Sequence, residues 1–343
     1  MAANSDSPNF QTSLFNKFKN HRKDSQTFIL LGVFVVLFVF FGLINHNFIA
    51  APSIISMAFQ LPEIGILSLA MLLPTIVGGI DLSVNSVANL AAVVSGIFLV
   101  KILPVNLLNP ALSVVLAIGL ALLIGVICGM LNGFLVAYVG VPPILATLAT
   151  YTTFLGIATG ITGGASVTGF PDQMGSIGSG TIFGIPITFV IFALLAILIY
   201  FILFRTTFGF KIRMLGSNPT AAKFSGLKNN LILMKLYIIG GVLSSIAGVV
   251  AMSYTMSANY EYGTTTYVLL AILITVLSNI TPGFGNVFNI FVSVLILQII
   301  STGSHMALMG VQGSSFFKDF LWGILMILIF ILNYFMHRKE IQN

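Results

Sequence analysis

The stretch Arg205–Lys235, RTTFGFKIRMLGSNPTAAKFSGLKNNLILMK, decides how the rest of this chain is read. It carries six cations (Arg205, Lys211, Arg213, Lys223, Lys228 and Lys235) and no acid. On either side lies a nearly uncharged apolar block with several runs that approach or exceed the ~20 residues a bilayer-spanning helix needs. A polar module of this size inside a membrane protein reads as a docking surface. Within it, Asn218 suits an N-cap, Pro219 the first helical position and Gly226 a C-terminal stop, so the segment predicts a short helix of about two turns. That helix can be a knob for a partner's groove or a plain cytoplasmic connector.

The composition around the island excludes a soluble domain. With 57% hydrophobic and 6% charged residues among 343, the chain has too few charges to coat its own surface, and its mean hydropathy is +1.08. Twelve of its fourteen Lys and Arg residues fall in Lys17–Lys23, the central island and Arg338–Lys339. Cations concentrated in this way mark cytoplasmic segments. The net charge of +6 does not point to nucleic acid, because the cations form no continuous face along phosphates. Cys128 is the only cysteine, which leaves no intrachain disulfide and no multi-cysteine metal site.

The expected architecture is an all-α polytopic membrane protein with about ten transmembrane helices, near 28–48, 53–77, 82–101, 111–138, 143–160, 186–204, 236–256, 266–281, 287–303 and 316–336. The first run is longer than a secretory signal core and is followed by further spans, so it reads as a retained helix. One transmembrane domain, 28–336, lies between cytoplasmic tails 1–27 and 337–343, with the loop at about 205–235 on the same side. Six spans before the island and four after it satisfy the parity this demands, and they put 161–185, 257–265 and 304–315 on the external side.

Two further constellations carry polar chemistry. In Gly78-Gly79-Ile80-Asp81-Leu82-Ser83-Val84, preceded by Pro62 and Pro74, the glycines free the backbone to turn. Asp81 can then cap the helix it opens, with Ser83 beside it. An acid at membrane depth is a functional candidate by default, so a direct solute contact or a gating role stands beside the capping role. The other is Asn132-Gly133-Phe134 followed by Pro142-Pro143-Ile144-Leu145-Ala146-Thr147-Leu148-Ala149-Thr150. Pro143 starts a helix and, with Asn132, Thr147 and Thr150, is a candidate for lining a pathway for a hydroxylated solute, while the three polar side chains can instead hydrogen-bond within the helix bundle.

In order along the chain, the Gly79–Val84 motif, the Pro143–Leu148 motif and the runs Arg205–Gly209 and Gly216–Gly226 resemble the permease subunits of ribose-type ABC importers, over roughly residues 53–332. The resemblance implies a membrane fold like that of the vitamin B12 importer, two permease subunits around one pathway, a cytoplasmic ATPase and an external substrate-binding protein. It implies a multi-pass protein of the prokaryotic cytoplasmic (inner) membrane. It assigns ATPase coupling to Gly209, Arg213, Asn218, Pro219, Ala221, Ala222, Lys223 and Gly226, with Ala221 and Ala222 as the small face that enters the groove. The chain departs from the family pattern at Asn85, Leu155 and Ser278-Asn279, and it lacks the acid often found near Gly263–Val268; these differences bear on the substrate.

The expected function is a transport subunit for a small hydroxylated solute, a monosaccharide such as ribose, with a nucleoside or a furanose signalling molecule as the alternative. No Gly-x-x-x-x-Gly-Lys-[Ser/Thr] phosphate loop occurs, so ATP and Mg²⁺ belong to the partner ATPase and no cofactor to this chain. An ion-coupled secondary transporter is the reading outside this class. It normally needs intramembrane ionisable groups, and Glu63 and Asp81 are the only acids near membrane depth.

Overall fold

The computed structural model describes residues 9–102, 109–308, 317, 320–324 and 327. Among them, eight helices are long and apolar enough to cross a membrane. These lie in α1 (Asn9–Ile44), α2 (Ala51–Ile76), α3 (Val84–Ile97, continued by a π-helical turn to Ile102) and α4 (Pro110–Phe134, continued likewise to Val139). The others are α5 (Pro143–Thr162), α7 (Ile187–Arg205), α10 (Asn229–Thr255) and α12 (Val287–Ala307). Between them come β1 (Val167–Thr168), α6 (Asp172–Ser179), the hairpin β2 (Thr181–Ile182) and β3 (Ile185–Pro186), α8 (Thr207–Ser217), α9 (Pro219–Phe224), β4 (Ser257–Ala258) and α11 (Thr264–Leu277). The tenth expected span, 316–336, falls largely outside the described residues.

The bundle is organised around α10, whose most apolar stretch is 78% buried against 11% for that of α1. Glycines set its close contacts: a Cβ at Gly241 would collide with the Gly125 carbonyl of α4, and one at Gly248 with the Ala88 carbonyl of α3. Small residues at such crossings let backbones approach where no hydrophobic driving force separates helix from lipid. The outer α1 is fastened to α12 at both ends. The Thr27 hydroxyl donates to Asn289 Oδ1 at 2.8 Å, and Asn45 Nδ2 donates to the Met306 carbonyl at 3.2 Å.

The largest departure from the sequence expectation is at residues 257–265. A plain external loop was expected there, with a full span following at 266–281. Instead α10 ends at Thr255, β4 pairs antiparallel with β1, and the chain then turns through residues 260–263 beside α3. Asn89 Nδ2 donates to the Tyr260 and Tyr262 carbonyls at 3.0 and 2.9 Å, and Asn85 Nδ2 donates to Tyr262 at 3.0 Å. The Tyr262 hydroxyl meets Glu63 Oε2 at 3.2 Å, midway along α2. The helix that follows, α11, has only 14 residues, about 21 Å at 1.5 Å per residue, which is short of the ~30 Å hydrocarbon thickness. Non-helical backbone at such depth persists only where its polar groups are satisfied by protein, and Asn85 and Asn89 do this here.

Candidate functional site

The Gly78–Ser83 turn is built from the end of α2. Gly78 takes φ +82°, Gly79 N–H donates back to the Pro74 carbonyl at 2.8 Å, and the chain reverses into α3. Asp81 is 5% exposed. Its Oδ1 accepts from Ser83 N–H at 2.9 Å and from Ser83 Oγ at 2.6 Å. Ser83, not Asp81, occupies the N-cap position of α3, so the acid holds the turn that precedes the cap instead of capping the helix itself.

The second constellation closes on the first. Asn132 Nδ2 donates to Ser83 Oγ at 2.7 Å, joining α4 to the turn. Thr147 Oγ1 accepts from Leu82 N–H at 3.1 Å and lies 2.8 Å from the Pro143 carbonyl, joining α5 to it. Pro143 packs against Gly79, where an added Cβ would lie 3.1 Å from the ring. Thr150 is buried and donates to the Thr147 carbonyl at 3.2 Å. Asn132, Thr147 and Thr150, candidates for lining a pathway, therefore spend polar groups inside this buried network. The hydroxyls that α5 presents outward belong to Thr152 and Thr153, half a turn away on a face shared with Gly156 and Gly160, whose surroundings are open.

The third constellation lies against the same end of the bundle. Gly209 packs onto the Ile202 and Leu203 carbonyls of α7, where any side chain would collide, and the Arg213 guanidinium lies 4.9 Å from the centre of the Phe204 ring. At the end of α8, Gly216 abuts the Ile76 carbonyl and the Gly283 amide, and Gly283 N–H donates to that same carbonyl at 2.7 Å. The end of α2, the end of α8 and the turn between α11 and α12 thus form one clamp. Beyond it, Asn218 caps α9 by accepting from Ala221 N–H at 2.9 Å, Pro219 opens the helix and Gly226 at φ +78° ends it.

The side-chain directions of α9 correct one expectation. Ala222 is fully buried against its own subunit, so Ala221 and Ala222 do not form a common outward face. Ala221 and Lys223 are exposed, and Phe224 is 89% exposed. Phe224 was missed in the sequence. Its signal was an aromatic residue at the end of a capped helix otherwise free of large apolar groups.

A polar cavity of about 280 Å³ lies between α2, α10 and α12, beside the segment that leads into α11. Gln60, Glu63, Tyr262, Tyr267, Gln298 and Trp322 face it. The Tyr262 and Tyr267 rings meet edge to face at 5.7 Å, and Gln298 Nε2 reaches Gln60 Oε1 at 3.3 Å. Sequence reasoning noted Glu63 but did not join it to Tyr262, Tyr267, Gln298 and Trp322, which lie far from it along the chain. No group of three or more His, Cys, Asp or Glu residues able to hold a metal occurs among the described residues.

Comparison with known proteins agrees with this architecture. The sequence model of the family described as the permease component of the branched-chain amino acid transport system matches residues 53–330. The autoinducer 2 import system permease protein LsrD of Enterobacter sp. (strain 638) is 31% identical over 322 residues, 92% of this chain and 94% of that protein. The protein of the same name from Yersinia pseudotuberculosis serotype O:1b (strain IP 31758) is 31% identical over 294 residues, 83% of this chain and 85% of its own length. No solved structure matches the chain. A membrane bundle with a clamped polar module at one end, matched over most of its length by permease sequences, is a non-catalytic transport subunit, and the chain belongs to the permease family of ABC importers.

Proposed function

We propose that this chain is one of two permease subunits of an importer for a small hydroxylated solute, driven by a cytoplasmic ATPase and supplied by an external binding protein. Ten spans and a fold like that of the vitamin B12 importer belong to this reading, with both termini cytoplasmic. The relatives named for autoinducer 2 favour a furanose signalling molecule over ribose as the solute. A monosaccharide or a nucleoside remains the second choice, on the motif resemblance.

The observation that carries the proposal is the clamp of Gly216, Ile76 and Gly283. It sets the end of α8, which leads directly into α9, against the end of α2, immediately before the Gly78–Asp81 turn. A displacement of α9 by the ATPase is then delivered to that turn, and from there to α4 through Asn132 and to α5 through Thr147. The outward face of α5, with Thr152, Thr153 and its open glycines, would meet the second permease and the solute. The work of this chain is mechanical; the free energy comes from the partner's ATP.

The test is reconstitution of the chain with its ATPase and binding protein in lipid nanodiscs, with ATP turnover measured against autoinducer 2, ribose and nucleosides. Stimulation by autoinducer 2 ahead of ribose is the expected result. Stimulation by ribose alone would restore the sugar reading, and failure to assemble with any ATPase would remove the importer reading.

A further inference from the structure

We propose that the cavity between α2, α10 and α12 is a binding site for a small polyhydroxylated solute of about pentose size, formed inside a single subunit. This site is distinct from the face of α5 and from any pathway completed by a second chain. The proposal depends on the permease reading only for the identity of the solute; the existence of the site stands on its own geometry.

The first argument is the interruption of the fold beside the cavity. After α10 the chain is non-helical as far as Gly263, which has φ +65°, and α11 starts near the midpoint of α2. Interrupted helices at membrane depth cost backbone hydrogen bonds, and where they occur they build binding sites. Here Asn85 and Asn89 meet that cost by taking up the Tyr260 and Tyr262 carbonyls, and this fixes Tyr262 against Glu63. The interruption therefore delivers a tyrosine to the cavity.

The second argument is the chemistry of the lining. Glu63 has one hydrogen bond, from Tyr262, and among the described residues no Lys or Arg pairs with it. Gln60 and Gln298 add amides that both donate and accept, and Tyr262 adds a hydroxyl. A carboxyl group, two amides and a tyrosine hydroxyl match a ligand whose own groups both donate and accept, as hydroxyls do. The rings of Tyr267 and Trp322 also line the cavity and add apolar surface for the C–H groups of a ring. An organic cation of similar size would engage Glu63 alone and make no use of the two amides.

Trp322 is the only tryptophan of the chain, so its fluorescence reports on this cavity directly. The experiment uses the full-length protein in nanodiscs, titrated with D-ribose, adenosine and autoinducer 2 as solute probes and with choline as the organic cation. Thermal melting serves as an independent readout. At least one solute probe is expected to change the emission saturably and raise the melting temperature. Gln298→Leu and Tyr262→Phe should each weaken that binding about tenfold or more while the variants still melt cooperatively. Trp322→Phe should remove the fluorescence change and keep the melting shift.

Absence of saturable binding for all three solute probes overturns the proposal, as does binding of choline alone or binding unchanged in both lining variants. ATPase co-purification from the same preparation separates the two readings. Assembly without solute binding removes the cavity proposal and leaves the importer, whereas solute binding without assembly does the reverse.

Discussion

Asn85, in the first turn of α3, donates from Nδ2 to the carbonyl of Tyr262 at 3.0 Å, tying together two segments 177 positions apart. With Asn89 one turn further on, it takes up two carbonyls of a half-buried, non-helical segment that packs against α3. The Tyr262 side chain is thereby held over Glu63, and a loop expected to be a plain connection is tied to both α2 and α3. The expected consequence is large for such small changes. Asn89→Ala should cost about 1–3 kcal/mol because it leaves the Tyr260 carbonyl without its side-chain donor, and Asn85→Ala less because the Tyr262 carbonyl keeps its bond from Asn89. Melting of the purified protein in detergent checks this, and equal losses for the two variants would contradict the hydrogen-bond assignment.

Asp81→Ala should lower solubilised yield and melting temperature without altering solute preference. The carboxylate organises Ser83 N–H and Oγ, and Ser83 in turn receives Asn132, so its loss leaves buried donors unpaired at about 1–3 kcal/mol. Ser83→Ala should reproduce the effect in part. Normal stability combined with a changed solute preference in the ATP-turnover assay would make Asp81 a solute contact instead.

The burial of Ala222 and the exposure of Phe224 separate two variants of the same short helix. Ala222→Trp should overpack the seat of α9 in its own subunit and destabilise that module by about 1–3 kcal/mol. Phe224→Ala should leave melting unchanged and reduce co-purification with the ATPase. Wild-type assembly and turnover in the Phe224 variant would exclude this residue from the docking surface.

Gly216→Ala introduces a methyl group where the Ile76 carbonyl and the Gly283 amide already meet the backbone. The clamp must open, so solute-stimulated ATP turnover should fall at least severalfold even where the ATPase still binds. Turnover equal to wild type would show that the clamp does not transmit motion.

Reporters fused at Asn20 and Thr220 should read cytoplasmic, and one at Asp172 external, as the cation distribution requires. A cytoplasmic signal at Asp172 would invalidate the parity of the spans. The sign of the result does not depend on which solute is carried.

Local features were legible in the sequence because their physics is local. Runs of apolar residues announce membrane helices whatever surrounds them, and α2, α5 and α7 begin and end within two residues of their expected bounds. Asn218, Pro219 and Gly226 marked α9 by capping chemistry that involves only neighbouring amides.

What only the tertiary structure decided is where each polar side chain is spent. Tyr260 to Gly263 carry the composition of a surface loop, and nothing nearby in sequence says that Asn85 and Asn89 will take up their carbonyls at bundle depth. Thr147 and Thr152 are equally hydroxylated positions of one helix; the turn at Leu82 claims the first and leaves the second facing outward. Ala221 and Ala222 are identical neighbours that a 100° step places on opposite sides of the subunit surface. Burial and hydrogen-bond pairing depend on which distant backbone comes within about 3 Å, and that is settled by the packing of all the helices together.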